Sequence, residues 1–138
     1  MPTGVSMRVM CIANDVDRLN DAAVRKRLAE TIRLEGGDND LVVGDTYDIC
    51  AIEWWSDGGI RVFIHTVKIS DYPYPLEMFN VIDHALPANW CVSVEKRHYG
   101  MIIKRISFPE WADDDLFYEN LIEGYEEVIA IYKQRCSV

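Results

Sequence analysis

The feature that most constrains this chain is a polar turn, Ser56-Asp57-Gly58-Gly59, set between two β-rich runs. Glycine reaches the positive φ values that a tight hairpin turn requires, so the runs on either side are expected to fold back on each other. On the incoming side, alternation over 46–55 puts Tyr47, Ile49 and Ala51 on one face and Cys50, Ile52 and Trp54 on the other. The return run, 60–67, sets Ile60, Val62 and Ile64 against Arg61, Phe63 and His65. Adjacent Trp54 and Trp55 must point to opposite faces, so both are core only if the sheet is covered on both sides; otherwise one of them is an interface anchor.

Around this hairpin the chain reads as α+β. Residues 7–13 form a first strand, and a helix is expected over about 15–33, capped by Asn14 or Asp15 and stopped by Gly36-Gly37. The prolines of Tyr72-Pro73-Tyr74-Pro75 hold that segment extended or turning, because each lacks an N–H and restrains its predecessor. Strands follow at 77–82, 90–94 and 99–106. A long amphipathic helix is then expected over about 108–135, opened by a capping box of Ser107 and Glu110 with Pro109 in the first turn. Its stripe is Tyr118, Leu121, Ile122, Tyr125, Val128, Ile129 and Tyr132, recurring every three or four residues, and Gly124 is placed to bend or divide it. The expected docking contacts on the sheet are Leu121, Ile122, Tyr125 and Ile129. The whole, residues 1–138, is expected to be one domain with a β-rich core over about 7–106, a length at which about two-thirds of the unfolded surface is buried.

Composition narrows the partners. The net charge is −9, which argues against nucleic acid, since affinity for a phosphate backbone is built on Lys and Arg. No apolar run approaches the ~20 residues of a membrane span and the N-terminus lacks the apolar block of a signal peptide, so the expected setting is the cytoplasm. The excess is concentrated: residues 107–138 carry eight acids and two bases, and no Lys or Arg occurs between Glu110 and Tyr132. Helix faces stabilised by i to i+4 ion pairs mix both signs, whereas a single-sign face speeds encounter with a basic partner. Asp113, Asp114, Asp115, Glu119, Glu123, Glu126 and Glu127 are therefore the candidate partner-binding residues, together with Trp54, Trp55 and Tyr72 at the hairpin end.

Catalytic and metal chemistry find little purchase. Cys11, Cys50, Cys91 and Cys136 form no C-x-x-C pair and read as reduced thiols, and His65, His84 and His98 show no metal-ligand spacing. Consecutive acids at a helix start, as in Asp113-Asp114-Asp115, are solvated and favoured by the helix dipole, unlike a buried general acid. No cofactor or metal is expected.

Three segments carry a resemblance: 7–15, Leu41-Val42-Val43-Gly44-Asp45-Thr46-Tyr47 with the following Asp48 and Ile49, and Tyr74-Pro75-Leu76-Glu77-Met78-Phe79 through Ile82. Together they resemble the small Src-homology-3-like barrel proteins of phages and bacterial genomic islands, over about half of the chain. In that pattern a first strand ends at a Cys-Ile pair, a Leu-x-x-Gly-x-x-Tyr turn opens the second, and a Pro-x-x-x-Phe segment closes the barrel. The helix near 15–33 and everything after about residue 86 depart from it. The resemblance implies a small, strongly bent antiparallel sheet or barrel, with Gly44 in a turn and Tyr47 in the core. Small acidic α+β proteins of genomic islands also include immunity proteins, which neutralise a toxin by binding it. The leading expectation is a non-catalytic, immunity-type inhibitor of a basic protein partner. The alternatives are a small hydrolase-like enzyme with a His and carboxylate pocket, or a phage-related structural or regulatory adaptor, and a homo-oligomer stays open.

Overall fold

The computed structural model describes residues 7–13, 21–23, 25–26, 41–56, 59–64, 73–96 and 102–136. The expected hairpin is its spine. Strand β2 (Thr46–Trp55) runs antiparallel to β3 (Ile60–Ile64), with Ile52 opposite Val62 and Trp54 opposite Ile60. Along its other edge β2 takes two partners in succession. Its first residues pair with β1 (Arg8–Cys11), Val9 lying opposite Tyr47, and its second half pairs with β7 (Ile102–Ser107), Glu53 lying opposite Arg105. The two-residue β4 (Tyr74–Pro75) extends the β3 side; β5 (Phe79–Asp83) pairs with β1, and β6 (Cys91–Lys96) pairs with β7. Every pairing among the described residues is antiparallel. Among the described residues no pairing joins β4, β5 and β6 to one another, so the seven-stranded sheet is open, whereas the expected alternative was a closed barrel.

A bulge in β2 puts two successive residues on the same side of the sheet. Ile49 faces Ile64 and Ala51 faces Phe63, so two steps along β2 match one along β3 and Cys50 is the extra residue. Ile49 and Ile52 consequently join Val9, Val62, Ile64, Tyr74 and Met78 in one core, while Cys50 and Ala51 join Phe63 in the other, under the C-terminal helices. Gly44 takes a φ of 93° in the turn before β2, where its N–H reaches the carbonyl of Cys11 at 2.8 Å. Tyr47 packs against the first core, and its hydroxyl accepts the N–H of Val42 at 2.9 Å.

One of the two helical expectations changes. Of the helix expected over 15–33, only 21–23 and 25–26 are described; there Asp21 opens a helical turn, its carboxylate accepting the N–H of Ala23 and its carbonyl that of Arg25, both at 2.9 Å. The long C-terminal helix is instead three short ones: α1 (Pro109–Ala112), α2 (Phe117–Ile122) and α3 (Glu126–Cys136). Gly124 adopts a φ of 83°, a conformation that ends a helix and that glycine reaches without Cβ strain. The expected capping box does not form either. Ser107 is spent in the β7 ladder, Phe108 stands at the helix start without a side-chain cap, and Glu110 bonds Arg135 at 2.7 Å. That pair holds the Glu110 carboxyl below the usual carboxylate range.

Candidate functional site

The acidic C-terminal segment is shaped by its two corners. In the first, between α1 and α2, the Asp114 carboxylate accepts the N–H of Leu116 at 2.9 Å and its carbonyl accepts that of Phe117 at 3.1 Å. The bend turns Phe117 inward and leaves Leu116 53% exposed. In the second, at Gly124, the N–H of Tyr125 reaches back to the carbonyl of Asn120 at 3.1 Å. At this corner Ile122 is 49% and Tyr125 57% exposed, although both were expected to dock. Leu121 does dock, at 4%, and Ile129 packs half-buried against the same core. Asp113, Asp114, Asp115, Glu119, Glu123, Glu126 and Glu127 are all exposed. The segment thus places three large apolar side chains among seven carboxylates, a combination in which apolar anchors supply affinity and a one-sided charge supplies encounter rate.

The hairpin-end candidates separate. Trp54 lies on the face opposite the helices and is 37% exposed. Trp55, on the helix side, is held in place: its Nε1–H donates to Glu53 Oε1 at 2.9 Å and its ring lies under the Arg61 guanidinium, 3.4 Å from centroid to Cζ. Tyr72 lies outside the described residues, as do His65 and His98, while His84 sits exposed in the loop after β5. The structure therefore does not unite Trp54 with the acidic segment.

Sequence reading missed a buried ionic row. Glu53, wholly buried, accepts both Nε (2.7 Å) and a terminal nitrogen (2.6 Å) of Arg105, which is 3% exposed and also bonds Glu95 at 3.1 Å. Arg61 stands opposite Glu53 on β3, and Arg105 lies 4.7 Å from the ring centroid of Trp111. The row is balanced in sign, its central carboxylate is bonded by Arg105 and Trp55, and its members tie β2, β3, β6 and β7 together beside the first helix. The available signal was a charged residue inside an otherwise apolar run, Glu53 in β2, Arg61 in β3 and Arg105, beside Lys104, in β7. Among the described residues no three His, Cys, Asp or Glu gather as metal ligands, and no helix is long and apolar enough to cross a membrane.

Compared with known protein families, with characterised proteins and with solved structures, the chain matches none.

Three side chains of the helix-side core form a buried polar knot: the Cys50 thiol from the bulge, and Tyr132 and Cys136 from α3. Burial pushes the Cys50 thiol up from its ordinary value near 9.0, and the neighbouring Cys136 adds to the shift; burial likewise raises Tyr132, reinforced by the two thiols. A raised folded value stabilises the protein only while the unfolded thiol is still protonated, so stability is expected to fall as pH rises through about 9. Alkylation should follow the same logic, with half-buried Cys91 modified first and Cys11, Cys50 and Cys136 only on unfolding. Mass spectrometry of partly alkylated protein checks the order, and modification of Cys50 or Cys136 ahead of Cys91 would overturn it. Four free thiols are expected in the denatured protein.

Proposed function

We propose that this chain is a non-catalytic protein-binding module that engages a basic protein through its acidic C-terminal segment, most specifically as an immunity-type inhibitor of a basic toxin in the cytoplasm. The observation that carries this reading is the company Leu116, Ile122 and Tyr125 keep: exposed apolar anchors in a stretch with seven exposed carboxylates and no base from Glu110 to Tyr132. Kinship with Src-homology-3-like proteins of phages and genomic islands belongs to the same proposal. It is supported by the Gly44 turn and by a strand, β2, that serves two partners along one edge.

The test uses pull-down from the source cell, or with the product of the adjacent gene, followed by association rates against salt. Glu119, Glu123 and Glu126 are exposed, so reversing all three to Lys should change stability by about 0.5 kcal/mol or less per site. Association with the partner should slow by ~10-fold or more at low salt, and wild-type association should slow as the screening length shrinks toward ~3 Å at 1 M. Equal rates for wild type and the triple variant at every salt concentration would move the interface off this segment.

A further inference from the structure

Two exposed surfaces of this chain are opposite in charge and sit on opposite sides of the sheet. Residues directly across an antiparallel ladder share a face, so the registers group Val92, Val94 and Lys96 of β6 with Ile102 and Lys104 of β7 and Trp54 of β2. Val92 is 72%, Val94 54%, Ile102 40% and Trp54 37% exposed, and both lysines are exposed too. Neither lysine has an ion-pair partner among the described residues, and the nearby acids Glu53 and Glu95 turn to the other face, where they bond Arg105. The acidic segment is the converse surface. Its seven carboxylates also lack ion-pair partners among the described residues and stand with exposed Leu116, Ile122 and Tyr125, with no base from Glu110 to Tyr132. The helices that carry it pack on the side of the sheet away from Trp54, so the two surfaces of one molecule face apart.

We propose that these surfaces meet between molecules, the acidic segment of one copy docking head to tail on the Trp54, Val92 and Val94 face of the next. Charge complementarity selects this occupant. The face presents two unpaired lysines and no strand carboxylate, and the segment presents unpaired carboxylates and no base, so each supplies the sign the other lacks. Apolar groups match as well: Leu116, Ile122 and Tyr125 of one copy cover valine, isoleucine and tryptophan of the other, and both sets are exposed in the single chain. A net charge of −9 repels copies on average, but that repulsion is largely screened beyond about 8 Å at physiological salt, so the charges in contact decide. A contact between like faces would set lysine against lysine or acid against acid. The head-to-tail contact is heterologous, so it leaves one surface free at each end and grows past the dimer unless its rotation closes a ring.

Patches of this size give weak contacts, and a dissociation constant on the order of 100 μM is expected. Sedimentation velocity of the full chain from ~10 μM to ~1 mM should show monomer giving way to dimer and larger species. Two charge-reversed variants separate the surfaces: Lys96→Glu with Lys104→Glu, and Glu119→Lys with Glu123→Lys and Glu126→Lys. All these positions are exposed, so both variants should fold, which circular dichroism checks. Each alone should self-associate ~10-fold or more weakly, and an equimolar mixture should recover association, because each variant keeps the surface the other has lost. General repulsion would make the segment variant, which has the smallest net charge, associate best; it is expected to associate less than the wild type. A monomer at every concentration would overturn the proposal. So would a segment variant that self-associates as well as the wild type, or a mixture no better than its components. The methyl signals of Val92, Val94 and Ile122 should shift together as concentration rises, a measurement that needs no substitution, and shifts on one surface without the other would also overturn it. The lysine variant leaves the acidic segment intact, so its binding to a basic partner tells failure of this contact from failure of the proposed function.

Discussion

Replacing Glu53 by Ala is expected to lower the unfolding free energy by about 3–5 kcal/mol, because it leaves the Arg105 guanidinium buried with half of its partners gone. Arg105 would keep only Glu95, through one bond of 3.1 Å, and Trp55 would lose the acceptor of its Nε1–H. The effect should be strongly non-additive. Glu53→Met with Arg105→Met removes both charges together, and such paired replacements by apolar groups of similar volume are often neutral or stabilising. Urea melts of the two single variants and the pair close the cycle, and a coupling energy below about 0.5 kcal/mol would show the two charges to be independent. A loss under about 1 kcal/mol for Glu53→Ala would mean that water reaches the row.

Trp111→Ala should cost about as much, 3–5 kcal/mol, by the ordinary penalty for removing a buried tryptophan. Trp111 is 1% exposed and is the hub of the helix-side core. Its ring meets Phe63 edge-on at 4.9 Å, stacks on Phe117 at 5.3 Å and lies almost parallel to Tyr118. α1 is only four residues long, too short to persist without packing, so its existence rests on this side chain. The contrasting substitution is Tyr125→Ala at the exposed corner, expected to shift stability by about 0.5 kcal/mol or less. A denaturation midpoint moved equally by both substitutions would refute the division between a packed hub and a solvated corner.

The parts of the fold legible in the sequence were those whose signals are local. The turn at 56–59, with alternation on either side, led to β2 and β3; the prolines before residue 76 led to an extended segment; Gly44 fitted a positive-φ turn. The C-terminal helix was misread because periodicity reports where apolar residues recur and not whether the backbone runs on between them. Tyr118, Leu121, Ile122 and Tyr125 keep helical spacing across a break at Gly124, yet Ile122 and Tyr125, on either side of the break, are exposed. Ser107 and Glu110 have capping spacing, yet strand pairing claims the serine and Arg135 claims the acid. The ionic row was out of reach because its members are distant in the chain, Glu53 and Arg105 being 52 residues apart. Of the candidate site, the acids were legible because exposed carboxylates need no partner, whereas the apolar anchors among them were hidden by the same stripe that suggested a core.

The bulge at Cys50 bears on how the length of this chain can vary. Ile49, Ala51 and Ile52 point to the first, second and first core in turn, the parity of a regular strand with Cys50 left out. Loss of that one residue therefore keeps every other side chain of β2 on its present face and removes only a bend and a thiol. A one-residue deletion before Cys50 or after Ala51 turns over all side chains on one side of the gap, sending Glu53 toward the first core or Ile52 toward the second. Within this ten-residue strand, the pair Cys50-Ala51 is where a codon can be lost without rewriting the rest.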